Sequence, residues 1–226
     1  MIEFSGVTTS YSYEFFLRNI SFELLNSEFA FICSERLCEA NAILKLLVMP
    51  EIDREGTVEL DGIDARKLSG KEKAAYLKKF AIASDRIGLV PNRTLYENLL
   101  MPALVTSQAQ QAKDRISDVL SISGLRSKAR KCPSELSALE ERKAVIARAV
   151  ISSPQAVLAS NLMGSLEIVD SMEIIRLLFD INLYYGVCVL ATVDTPSIIK
   201  SLDKRILYIE NGSLRHKPER SARAMG

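Results

Sequence analysis

The apolar positions of this chain change period several times, and each change marks an element. Ile2 to Val7 alternates apolar and polar residues, which predicts a strand. Leu17 to Leu24 alternates in the same way, and Ser10-Tyr11-Ser12-Tyr13 between them reads as a polar, aromatic turn. Phe29 to Cys33 is a continuous apolar run of strand length. A polar loop follows, and then Ile43, Leu44, Leu46, Leu47 and Val48 recur at helical spacing. Phe29 to Val48 is thus strand, loop, helix. Thr57 to Leu60 runs into Asp61-Gly62, a hairpin signal. Gly70 to Lys79 predicts a charged helix, and Phe80 to Ala83 a short strand.

From Arg86 to Ile151 the pattern is mostly helical. Pro91 and Asn92 mark a turn. Thr94 to Met101 has helical spacing that Pro102 is expected to stop. Gln108 to Ile122 predicts a surface helix closed by Gly124, and Ser137 to about Ile151 a longer one. Ser137-Ala138-Leu139-Glu140 fits the capping box, in which both side chains satisfy free donors of the first turn. Strand character returns at Ala156 to Ala159 and Val187 to Ala191, around a helical stretch from Ile168 to about Asn182. That β-α-β rhythm predicts a parallel sheet. Ile206 to Ile209, Asn211-Gly212 and Ser213-Leu214 read as a closing hairpin. The tail beyond Leu214 is basic and poor in apolar residues, so it is expected to fray.

Composition narrows the function classes. The 226 residues suffice for one large domain with an ample core. Lys and Arg number 29 and Asp and Glu 28, so no global field points to nucleic acid. No apolar run approaches the ~20 residues that a membrane helix needs, and MIEFSGV carries no signal-peptide pattern. The single histidine, His216, lies in the tail, which argues against a His-based triad or metal site. Cys33, Cys38, Cys132 and Cys188 are too scattered for zinc spacing, and reduced thiols packed as small apolar groups is the simpler reading.

Strand, loop, helix is also where a nucleotide-binding protein places its phosphate cradle. This loop has no glycine, and no lysine where the helix starts; it carries Glu35 and Glu39. Four strings nevertheless fall in a familiar order: Thr94-Leu95-Tyr96-Glu97-Asn98; Leu136-Ser137 with Glu140; Ile146-Ala147-Arg148-Ala149; and Val189-Leu190-Ala191-Thr192 followed by Asp194. With the order of elements, they make the chain from Ile2 to about Leu214 resemble the nucleotide-binding domains of ATP-binding-cassette (ABC) transporters, of the cell-division FtsE and lipoprotein-release type. The resemblance implies an α/β P-loop NTPase fold over 1–226. A mostly parallel core sheet would carry an N-terminal antiparallel β-subdomain and an inserted helical subdomain at about 86–151.

The departures from that family bear on chemistry. Its phosphate loop, G-x-x-x-x-G-K-S/T-T, falls on Ser34 to Ala42 without gaps. Ser34 and Glu39 take the glycines, Ala40 the lysine, Asn41 the magnesium-binding hydroxyl residue, and Ala42 the last threonine. Glycines let backbone N–H groups close on phosphate oxygens, and the lysine neutralises the outer phosphates. Ala40 therefore removes a charge-assisted bond of roughly 1.5–3 kcal/mol, and the two glutamates add repulsion. The glutamine that senses the γ-phosphate falls on Asp85, the metal aspartate on Ser160, the general-base glutamate on Asn161 and the switch histidine on Val193. Asn161 keeps the shape of a glutamate's shorter relative but accepts no proton near neutral pH. The signature glycines fall on Ala138 and Leu139. Tyr11, where the family stacks a ring on adenine, and Ser137, where its serine meets the γ-phosphate, remain; Ser137 is also explained fully as a helix cap.

The departures therefore imply ATP binding that is weak or absent, and they argue against bound magnesium. The resemblance implies a cytoplasmic subunit, peripheral at the inner face of the membrane, that docks to an FtsX-like or lipoprotein-release permease through Thr94, Leu95, Tyr96, Glu97 and Asn98. It would be a homodimer, or a heterodimer with an intact ABC ATPase, with no nucleic-acid partner. Two alternatives stay open: an atypical ATPase active within a heterodimer, and a regulatory or assembly protein that reuses the fold. One local expectation is physical. A helix N-terminus attracts negative charge, so the carboxylate of Glu39 or Glu35 is expected to fill the vacated anion site.

Overall fold

A computed structural model describes residues 1–12, 15–105 and 109–215, and the side chains of these except 10–12, 15, 105 and 109–111. Four strands form an antiparallel sheet: β1 (Ile2–Ser12), β2 (Phe15–Leu24), β4 (Glu55–Leu60) and β5 (Ile63–Asp64), in the order β2-β1-β4-β5. Six others form the central sheet: β3 (Phe29–Cys33), β6 (Phe80–Ser84), β7 (Ala156–Ser160), β8 (Cys188–Val193), β9 (Arg205–Glu210) and β10 (Ser213–Arg215). Their order is β10-β9-β3-β8-β7-β6, parallel from β9 to β6, with β10 antiparallel at one edge. The helices are α1 (Leu37–Val48), α2 (Gly70–Leu77), α3 (Leu95–Val105), α4 (Ala109–Ile122), α5 (Ala138–Ala149), α6 (Ile168–Tyr185) and the short α7 (Pro196–Ile199). No helix among the described residues is long and apolar enough to cross a membrane.

β3 explains why its sequence is continuously apolar. Phe29, Phe31 and Cys33 face one core, with α3 to α6; Ala30 and Ile32 face the other, with α1 and the antiparallel sheet. A parallel strand covered on both faces has no position left for a polar side chain. Phe179 of α6 meets Phe29 and Phe31 edge to face, at centroid distances of 4.5 and 6.1 Å. The same burial fixes α1, whose Ala40, Ile43 and Leu47 are all fully buried.

Three local expectations are corrected. Residues 10–12 continue β1 rather than forming a turn, and Ser12 pairs with Phe15; Tyr13 and Tyr11's side chain lie outside the described residues. Pro102 does not end α3, which runs on to Val105. Leu95, Leu99 and Ala103 form one fully buried stripe, and its packing outweighs the backbone donor that proline lacks. The helical stretch begins at Leu95, because residues 85–94 form an irregular loop pinned by side chains. The tail beyond Arg215, with His216, is outside the described residues.

Candidate functional site

The C-terminal ends of β3, β6, β7 and β8 meet the start of α1, the place where open parallel sheets hold ligands. After Cys33 only residues 34–36 intervene before α1 begins at Leu37. Without glycine, and with Leu37, Glu39 and Ala40 as residues of fair to good helix propensity, the chain turns into helix within the stretch that resembles a phosphate loop. Arg36 is the extended N-cap and its side chain makes no capping bond. The cap is supplied from within the loop: Ser34 Oγ accepts from Arg36 N at 3.1 Å and donates to Glu39 Oε2 at 3.0 Å. Glu39 is 2% exposed, and its Oε1 has no hydrogen-bond partner. Glu35 is exposed. Glu39, not Glu35, thus occupies the interior of the loop. Ala40 and Ala42 are fully buried in the core between the two sheets.

The other stations bond to one another. Asn41 Oδ1 accepts from Ser160 Oγ at 2.9 Å and from Thr192 Oγ1 at 3.1 Å. Thr192 Oγ1 also accepts from the backbone N of Asn161, 3.2 Å away. Asn161 Nδ2 donates to Asp85 Oδ2 at 2.5 Å. Asn161 sits at φ 53°, in the left-handed region. A Cβ built on Gly164 would lie 2.6 Å from Asn161 Oδ1, so glycine at 164 is what lets that side chain lie as it does. Val193 is buried at the end of β8 and contributes no polar group. The network is neutral apart from Asp85 and contains no cation that could face a polyphosphate. Cys33, just ahead of the loop, has its thiol pushed up to about 11 by burial, with Asp194 and Glu35 adding to the shift.

Beside this network lies a pocket of about 350 Å³ between α1 and the ends of β6 and β7, lined among others by Cys38, Asn41, Lys45, Ile82, Arg86 and Ile87. Asn41, Ser160 and Asn161 of the network line the same pocket as Lys45 and Arg86, whereas Glu39 does not line it. Among the described residues no cluster of His, Cys, Asp and Glu could hold a metal ion.

The loop 85–94 is held on three sides. Asn161 bonds Asp85. Arg148 of α5 donates to the carbonyls of Ile87 and Gly88 at 2.7 and 2.9 Å. Asn98, fully buried, accepts from Val90 N at 2.7 Å and donates Nδ2 to the carbonyls of Val90, Arg93 and Thr94. Thr94 and Glu97 cap α3: Thr94 Oγ1 accepts from Glu97 N, and Glu97 Oε2 accepts from Thr94 N at 2.7 Å. In the Thr94 to Asn98 string, Leu95 and Asn98 are therefore interior, Tyr96 is half-buried against the core, and Thr94 and Glu97 serve the cap. Ser137 caps α5 as its spacing predicts, with Glu140 Oε2 accepting from Ser137 N at 2.9 Å and Ser137 Oγ accepting from Glu140 N at 3.2 Å. Leu139 is half-buried against the core. Two participants escape pattern reading: Thr192 as the junction of the network, and Arg148 as the holder of the loop. Both lie in strings whose order is informative, but a string does not say which side chain turns inward.

Comparison with known proteins agrees with this fold. A family model described as ABC transporter matches residues 18–160. The cell division ATP-binding protein FtsE of Streptococcus pneumoniae is 29% identical over 197 residues, covering 87% of this chain and 85% of that protein. The lipoprotein-releasing system ATP-binding protein LolD of Bacteroides fragilis is 26% identical over 212 residues, covering 93% and 98%. The ATP-binding cassette MJ0796, solved as a dimer in a post-hydrolysis state bound to ADP and Pi, superposes with a TM-score of 0.77 at 21% identity, covering 96% and 97%. The cbiO1 protein of Clostridium perfringens does so at 0.83 with 14% identity, covering 95% and 86%. These last two likenesses concern the fold.

Proposed function

This chain belongs to the ABC transporter family, and on that footing we propose that it is the cassette subunit of an FtsE-like or lipoprotein-release-like membrane complex, one that docks to a permease without hydrolysing ATP. The observation that carries the reading is the mutual bonding of Asn41, Ser160, Thr192, Asn161 and Asp85, with Glu39 folded onto Ser34. Hydrolysis needs an aligned water, a base and charge neutralisation around the phosphates. At these positions the chain offers amides and hydroxyls that already have partners, carboxylates that repel phosphate, and no cation.

Docking has its own support. The loop 85–94 is braced without ligand, so a surface built on it stands in one shape. Ile82 and Ile87 are 39% and 46% exposed beside Arg86 and Lys45, which suits an amphipathic segment with an acidic edge. A second reading, in which an intact ATPase partner shares a composite site, is favoured by the exposure of Ser137 at the start of α5. Tagged chain captured from native membranes after apyrase treatment distinguishes them. The docking reading expects the permease to co-purify equally with and without ATP; capture that requires ATP, or the absence of any integral-membrane protein, contradicts it.

A further inference from the structure

One charged surface lies outside the site. Between residues 66 and 79 stand Arg66, Lys67, Lys71, Lys73, Lys78 and Lys79, against a single acid, Glu72, in a chain whose formal net charge is +1. Two of these cations are paired, Arg66 with Asp64 at 2.7 Å and Lys79 with Asp61 at 3.6 Å. Lys67, Lys71, Lys73 and Lys78 make no ion pair among the described residues. α2 turns Tyr76 and Leu77 inward, Tyr76 against Phe80 and Leu77 against the same core. Its outward side carries Lys71, Ala74, Ala75 and Lys78, all exposed, with Lys67 exposed just before it. Lys71 and Lys78 are two turns apart and so share a face, and the alanines between them place no bulk above the ammonium groups.

We propose that this lysine face seats the chain on an anionic phospholipid surface. The segment's four lysines without an ion pair, three of them on the outward face, stand at the lower limit of the roughly four to eight Lys or Arg that bind acidic headgroups. The residue type fits as well: lysines on flexible stems act as point charges toward a diffuse layer of phosphates, whereas bidentate recognition of a defined partner calls for arginine. A nucleic-acid partner is less well served, because the aromatic ring of this segment, Tyr76, is 3% exposed and has no face for a base to stack on. The inference goes beyond permease docking, since it requires lipid alone.

The test is flotation of the full-length chain with phosphatidylcholine vesicles, with and without about 30 mol% phosphatidylglycerol. At ~0.1 M salt the chain is expected to partition at least tenfold better onto anionic vesicles, and to lose that preference near ~0.5 M. Lys67→Glu/Lys71→Glu/Lys78→Glu should lose about tenfold or more, and the corresponding glutamine set an intermediate amount. Lys113→Glu/Arg126→Glu, elsewhere on the surface, should change little, as should Lys217→Gln/Arg220→Gln/Arg223→Gln in the tail. All these side chains are exposed or terminal, so unchanged melting curves accompany the expected result. Equal binding to neutral and anionic vesicles overturns the proposal. So does a triple variant that binds like the parent, a loss confined to the tail variant, or displacement from vesicles by charge-matched duplex DNA.

Discussion

Glu39 stands in the third position of α1, where the partial positive charge of a helix N-terminus draws an anion. Its carboxylate is 2% exposed and holds one hydrogen bond, from Ser34. Ser34→Ala removes that bond and the acceptor of Arg36 N together, and is expected to cost about 1–3 kcal/mol in urea unfolding. Restoring the family's lysine should not restore its chemistry. Ala40 is fully buried between the sheets, so Ala40→Lys forces a long charged chain into a packed core. It is expected to lower stability by ~2 kcal/mol or more while giving no nucleotide-dependent change in melting temperature; a shift on adding Mg-ATP contradicts this. The thiols give a simpler check. Cys33 and Cys188 are pushed up to about 11 and about 12, chiefly by burial, while Cys38 is exposed. Mass spectrometry after brief alkylation at neutral pH should find Cys38 modified, and Cys33 and Cys188 modified only in denaturant.

At the scale of elements, the loop from β6 to α3 and the Asp64 cluster carry the sharpest expectations. Asn98 satisfies four backbone groups of that loop from a fully buried position. Asn98→Ala takes the side-chain partner from Val90 N and the Arg93 carbonyl, while the Val90 and Thr94 carbonyls keep backbone donors, and should cost roughly 3 kcal/mol; Asn98→Asp should be no milder, because it loses the donor and buries a charge. Gly164→Ala should displace the Asn161 side chain and speed amide exchange at residues 85–90. In the antiparallel subdomain, Asp64 lies with Arg54, both side chains 1% exposed. Burial pushes its carboxyl up, but hydrogen bonds and charge from Arg66, with Arg54 adding, outweigh this and hold it below the usual range. A depressed folded pKa gives stability that is present above the unfolded value of about 4 and is lost as pH falls through the folded one. The urea midpoint should therefore fall on acidification below about pH 4, and Asp64→Asn, less stable at neutral pH, should show a flatter acid limb. These elements also show what a sequence can and cannot tell. Strands β3, β7 and β8 and the caps of α5 were legible because their cause is local: continuous apolar runs and a four-residue box. Pro102 misled because the deciding stripe, Leu95, Leu99 and Ala103, acts through tertiary packing. Arg148 as holder of the loop was hidden because its bonds join residues some 60 positions apart, and Asn161's bond to Asp85 spans 76.

For the whole molecule, the proposed reading requires that the architecture be held by its own packing and side-chain bonds. The parallel sheet, α1 and the two cores depend on apolar burial, which takes in Ala40 and Val193, where the family has a lysine and a histidine. Strand ends that would face phosphate and metal are instead joined through Asn41, Thr192, Asn161 and Asp85. That substitution was only half visible in the sequence: the missing lysine, glycines and carboxylates could be read, but the bonds that replace them could not. The pocket beside α1, with Lys45 and Arg86, was not foreseen, because its residues come from three separate stretches. The central claim is that the site is closed by its own side chains and that the fold serves docking. Isothermal titration of the purified chain with Mg-ATP at neutral pH tests it most directly. The account predicts no saturable heat up to millimolar nucleotide; a dissociation constant below ~0.1 mM, about −5.5 kcal/mol of binding, would contradict it.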